Sequence, residues 1–236
     1  MARLSRKELK SDKFALEVQH SVEYVSQHRQ QLIRWGGIGV AAVILVVVFF
    51  VYRTHERGVR QEALRHAMQV QNATVAPQPT GNPNILTFPT EADRVKAATQ
   101  AFTEVAAKYS GTEEGALAEY FLGTNAADLG NLAEAQKDFQ KVLDYSDQNV
   151  DSMAKLALAN VYAGEGKLAD GEKLIQSVID HPTTLVSKDE ATLALGQLIA
   201  PTDPQRARKL IEPLRSSPRA AISRAAITAI GEMPQK

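Results

Sequence analysis

The chain has 236 residues, with 27 Lys and Arg balanced by 27 Asp and Glu, five His and no Cys. Zero net charge removes the general electrostatic case for nucleic-acid binding. The lack of cysteine excludes disulfides, thiolate metal sites, haem attachment, a cysteine nucleophile and a lipidated amino-terminal cysteine. A composition 44% hydrophobic, 23% charged and only 6% aromatic is that of a globular, helix-rich protein.

Charge is unevenly placed along the chain. Residues 1–34 carry seven basic and four acidic side chains, residues 53–90 four and two, and residues 91–236 sixteen and twenty-one. Residues 1–34 form a charged tail. Ser5-Arg-Lys-Glu8 has the spacing of a capping box, and Phe14, Val18, Val22, Val25 and Leu32 recur at helical intervals, predicting a weakly amphipathic helix.

From Trp35 to Tyr52 there are 18 residues without a charge, eleven of them Ile, Val, Leu or Phe. At 1.5 Å per residue the segment covers about 27 Å, close to the hydrocarbon thickness of a bilayer. Trp35 and Tyr52 stand at its ends, where amphipathic rings favour the membrane interface. No small-x-small site follows, so the segment reads as a retained transmembrane helix rather than a cleaved signal, and the lipid bilayer is its expected partner. Gly37-x-x-x-Ala41 has the spacing of a helix-dimer face, which makes a homodimer through this helix an expectation. Orientation does not follow from charge. Within 20 residues of the span two basic residues precede it and four follow, whereas the whole tail against residues 53–90 gives seven against four.

Residues 53–73 predict a membrane-proximal helix. Residues 74–90 hold Pro77, Pro79, Pro83 and Pro89, a composition that breaks helices and predicts an extended linker and a domain boundary. Thr90-Glu-Ala-Asp93 then opens a new helix, and residues 91–236 form the remaining domain.

That domain repeats itself. Gly130-Asn-Leu-Ala-Glu-Ala135 through Phe139 to Asp144 aligns, 36 residues on, with Gly166-Lys-Leu-Ala-Asp-Gly171 through Ile175 to Asp180. A more worn copy follows with Ala207 and Ile211, its turn becoming Ala200-Pro-Thr-Asp203 before Pro204. Each is preceded by another helix: 115–129, 149–163 and 187–200, the last led by Ser187-Lys-Asp-Glu190. Units of helix, short turn and helix cannot bury their apolar faces alone, so the prediction is an all-α stack of hairpins.

The spacing resembles the tetratricopeptide repeat. Leu122-Gly123 and Ala135-x-x-x-Phe139 carry it in the first unit, Leu158-Ala159, Tyr162 and Gly171-x-x-x-Ile175 in the second, and Ala207-x-x-x-Ile211 in the third, where Leu195 occupies the small-residue position and Leu198 the Tyr position. The layout of tail, span, linker and degenerate repeats resembles the bacterial family of TPR-like ancillary subunits of the Sec translocon. That resemblance implies an inner-membrane anchor, a cytoplasmic amino terminus and periplasmic repeats, with translocon subunits, chaperones or exported clients as partners. It also implies that the first helix of each pair lines a groove, which by alignment makes Tyr120, Thr124, Asp128, Leu156 and Asn160 the partner-binding candidates, Asn160 placed to hold an extended backbone. An envelope-assembly or cell-division scaffold using the same groove is the alternative, and an enzyme accessory subunit a third.

No catalytic or metal motif is legible, so no activity, metal or cofactor is expected. His20, His28, His55, His66 and His181 are scattered. The acid pairs Glu113-Glu114 and Asp189-Glu190 sit at helix starts, where the macrodipole favours them. Residues 91–180 carry eight basic and sixteen acidic side chains, consistent with a basic partner segment.

Overall fold

A computed structural model describes residues 29–77, 85–145 and 148–233. The tail helix expected before residue 29 and much of the proline-rich segment lie outside the described residues. The chain divides into two units, residues 1–58 and 59–236. The described part of the first unit is helical, within α1 (Arg29–Gln71). Every residue from Trp35 to Tyr52 is exposed, and this helix is long and apolar enough to cross a membrane. Gly37 and Ala41 are exposed there as well.

The second unit is a succession of antiparallel helices, each packed on the next. After α1 come two short strands, β1 (Thr74–Val75) and β2 (Thr87–Phe88), then α2 (Glu91–Lys108), α3 (Glu113–Asp128), α4 (Leu132–Asp144), α5 (Gln148–Gly164), α6 (Leu168–Asp180), α7 (Lys188–Ile199) and α8 (Pro204–Ile211). A 3-10 turn (Glu212–Ser216) leads to α9 (Ala220–Glu232), whose Ala226 and Ala229 close the last core cluster. The architecture is the all-α stack expected from the sequence. Its helix starts are set by local chemistry: Thr90, Thr112, Ser187 and Asp203 each accept a bond from the backbone N–H three residues on. The turns after α3 and α5 are identical in kind. Gly130 and Gly166 adopt φ of +77° and +78°, and the residue after each returns its N–H to the carbonyl five residues back, Asn131 to Ala126 and Lys167 to Tyr162.

The packed unit starts earlier than the proline-rich segment. Leu64, Ala67 and Val70 of α1 are buried with Ala98, Phe102 and Val105 of α2, so α1 and α2 form a hairpin that precedes the first one legible as a repeat. Two polar contacts set this hairpin against α3. Arg60 Nε donates to Glu114 Oε2 at 3.0 Å, and Gln71 and Asn125 exchange both amide hydrogen bonds, at 2.9 and 3.1 Å. Both pairs are 54 residues apart, which requires α1 and α3 to run parallel in one register. The segment expected as a linker is therefore the connection inside a hairpin. Its ends are held by parallel pairing of β1 with β2, Thr74 N–H to Leu86 O and Ala76 N–H to Phe88 O, and Phe88 packs on the core.

The small-to-large pairs explain why the hairpins stack closely. A side-chain carbon at Gly123 would stand 2.7 Å from the Phe139 ring, and one at Gly171 2.7 Å from the Ala159 carbonyl oxygen. In the fourth hairpin, α7 with α8, the pattern slips by one residue. Gly196, not Leu195, lies beneath Ile211, while Leu195 is buried in the core and Leu198 reaches the backbone of Gly171. Close helix crossing demands a small residue at the contact, and here the chain meets that demand one position later than the 36-residue alignment implies.

Candidate partner-binding groove

The first helices of the second and third hairpins, α3 and α5, stand side by side, with the segment leading into α7 beyond them. Between them is an open cavity of about 650 Å³. Tyr120, Thr124 and Asp128 line it from α3, Leu156 and Asn160 from α5. The five residues named from alignment thus converge on one concavity. The structure adds Met153 of α5, Leu185 and Val186 of the loop and Glu190 of α7. Met153 precedes Leu156 by one helical turn, a spacing that could have drawn it in. Leu185 lies in a loop with no counterpart in the other hairpins, and Glu190 reads in sequence only as a helix-start acid.

The floor is held rigidly. Phe139, 1% exposed, sits beneath it and touches Gly123. The rings of Phe102 and Phe121 stack at 4.9 Å, Phe121 meets Tyr120 at 5.6 Å, and Tyr120 meets Phe139 at 5.8 Å. This aromatic series ties the core of the first hairpin to the groove wall. Burial pushes the Tyr120 phenol above its ordinary pKa, with the Thr124 hydrogen bond acting against it, so the phenol is neutral near pH 7 and offers an apolar ring with a polar edge.

The other residues singled out by the repeat resemblance pack the interior. Ala135, Leu158, Ala159 and Ile175 are buried, as are Ala207 and Ile211. Leu122 is partly buried on the first core cluster. Tyr162 is half-buried, with the Lys167 ammonium 5.7 Å from its ring centre. His55 and His66 are exposed on α1, and His181 is exposed after α6. The acid pairs have structural partners: Glu114 holds Arg60, and Asp189 Oδ2 accepts from Ser217 Oγ at 2.8 Å.

One N–H of the exposed Asn160 amide is engaged within the helix, its Nδ2 donating to the Leu156 carbonyl one turn back, at 3.1 Å. Thr124 Oγ likewise donates to the Tyr120 carbonyl at 3.0 Å. Electrostatically, the charged side chains among the described lining residues are Asp128 and Glu190, both carboxylates. Elsewhere some charges are paired, Lys141 with Glu119 and Asp138 and Arg206 with Glu172.

No curated protein and no solved structure matches the chain. Residues 30–187, two thirds of the sequence, match the family model of the tetratricopeptide repeat-like domain. The match begins inside α1 and so takes in the hairpin that α1 forms with α2 as well as the two that follow it. With hairpins stacked through small-to-large contacts and a groove on the first-helix side, the chain belongs to the tetratricopeptide repeat-like family.

Proposed function

We propose that this protein is a membrane-anchored binding module without catalysis, which holds a segment of another protein in the α3–α5 groove. The observation that carries the reading is the convergence of Tyr120, Thr124, Asp128, Leu156 and Asn160 on one open, apolar-floored concavity. The Trp35–Tyr52 segment would supply the anchor, and its layout together with the repeats supports an ancillary role at the Sec translocon and its periplasmic chaperones, with the amino terminus cytoplasmic. Tethering raises the local concentration of the groove for partners at the same membrane, so weak contacts suffice.

Anchoring is checked by Ile44→Arg, which places a charge at the middle of the apolar segment. Insertion becomes less favourable by about 3 kcal/mol, and the variant is expected to move from the carbonate-resistant membrane fraction into the extractable one. Retention of the variant in the resistant fraction would count against a span. Orientation is checked by a reporter fused after Lys236 that is active only in the periplasm, for which activity is expected. Mild-detergent purification of the full chain is expected to bring down translocon subunits; recovery of wall-synthesis proteins instead would favour an envelope-assembly scaffold.

A further inference from the structure

The polar groups of the groove narrow what can occupy it. An extended segment arrives with unpaired backbone N–H and C=O groups, and burying one without a partner costs about 1–3 kcal/mol. A helix satisfies its own backbone and brings only side chains. Thr124 and Asn160 each spend one donor on a carbonyl of their own helix, so the groove's polar side chains leave few groups to pair with a whole extended backbone. What the groove offers is apolar surface from Tyr120, Met153, Leu156 and Leu185. Asp128 and Glu190 are exposed on its rim, and neither is engaged in an ion pair among the described residues.

Their placement is diagonal. Gly123 and Gly196 occupy equivalent positions beneath Phe139 and Ile211. Asp128 follows Gly123 by five residues and Glu190 precedes Gly196 by six. In the shared register the two carboxylates are thus separated by about 16 Å along the helix direction. They are also two interhelical steps apart across it, which sets them roughly 20–25 Å apart. A helix covers that distance in about 15 residues.

Resting on the reading of this groove as a binding site, we propose that its occupant is an amphipathic α-helix of a partner protein. Its apolar face lies over Tyr120, Met153, Leu156 and Leu185, and a Lys or Arg near each end meets Asp128 and Glu190.

The test uses the full chain in nanodiscs of zwitterionic lipid, with empty nanodiscs as the blank. The probe is a fluorescent helical peptide of about 16 residues, with one Leu-rich face and Lys at both ends. Two companions carry either paired central prolines or Glu in place of Lys. The Lys-ended helix is expected to bind, and both companions to bind at least about tenfold more weakly. Neutralising the rim with D128N and E190Q together is expected to weaken the Lys-ended peptide about tenfold and flatten its salt dependence. Leu156→Lys, or the exposed Asn160→Arg should the first fail to fold, is expected to abolish binding. Equal affinity for the proline-broken or the Glu-ended peptide would overturn the proposal, yet leave the groove reading intact provided Leu156→Lys still abolishes binding. Failure of every peptide to bind, or indifference to both groove-blocking variants, would overturn the two together.

Discussion

A soluble fragment beginning at Glu91, after the proline-rich segment, is expected to be far less stable than one beginning at Val59. The shorter fragment loses Leu64, Ala67 and Val70, and leaves Ala98, Phe102 and Val105 facing water. Burying one large apolar side chain is worth about 1.5–3 kcal/mol. The cut also removes Arg60 and Gln71 from Glu114 and Asn125, which are 7% and 6% exposed. With α1 gone these two side chains turn to water, so each bond lost counts only at its net worth, about 0.5–1.5 kcal/mol. These losses together are a large part of the stability of an ordinary domain. Urea unfolding should therefore show a cooperative transition for the Val59 fragment, with its mid-point well above that of the Glu91 fragment. Limited proteolysis should cut the Glu91 fragment first within α2 and α3. Equal mid-points would mean that the α1–α2 hairpin is an appendage rather than part of the stack.

The second large effect is expected at Phe139. Replacing it with Ala removes a ring that is 1% exposed, packed on Gly123 and on the Tyr120 ring. Phe→Ala in a core costs about 3–5 kcal/mol, through lost burial and the cavity left behind. The consequence reaches the groove, since Phe139 holds Tyr120 from behind and lines the cavity floor. In the Val59 fragment the variant should unfold at markedly lower urea. The exposed Lys137→Ala on the same helix should shift stability by no more than about 0.5 kcal/mol. A Phe139→Ala variant as stable as the parent would show that the small-to-large contact does not support the stack.

These two expectations mark what the sequence did and did not disclose. The apolar span and the helices of three hairpins were legible because each rests on local spacing: an uncharged run, 3.6-residue periodicity, Ser, Thr or Asp at helix starts, and glycine in the turns after α3 and α5; the five groove candidates came from the repeat resemblance instead. The hairpin of α1 with α2 was not legible, although Ala98-x-x-x-Phe102 carries the same small-to-large pair as Ala135-x-x-x-Phe139 and both its residues are fully buried. Prolines around the connection broke the repeat spacing and read as a linker, and the short β1–β2 pairing that holds its ends is non-local. The slip from Leu195 to Gly196 escaped for another reason. Alignment at a fixed period cannot register a one-residue shift that preserves burial, whereas the contact under Ile211 does. The bond from the Asn160 amide to the Leu156 carbonyl was not legible either, because residue type reports hydrogen-bonding capacity but not where a bond is made.

The separation of roles along the chain follows from the same physics. Some charges on the outer faces are paired, as Lys141 with Glu119 and Arg206 with Glu172, and add solubility rather than much stability, while the groove presents apolar area and two carboxylates. A stack in which each hairpin touches only its neighbours holds such a surface open without needing it filled. The aromatic series from Phe102 to Phe139 supports the wall from behind.

The central claim, that the α3–α5 groove receives a segment of another protein, is tested most directly by a photoreactive residue at position 156 in the full chain, irradiated in intact membranes. Discrete adducts are expected from position 156, suppressed by the Asn160→Arg substitution beside it, with none from the same probe at position 137 on α4. Adducts of equal yield from both positions, or none from position 156 in a chain that is expressed and folded, would contradict that claim.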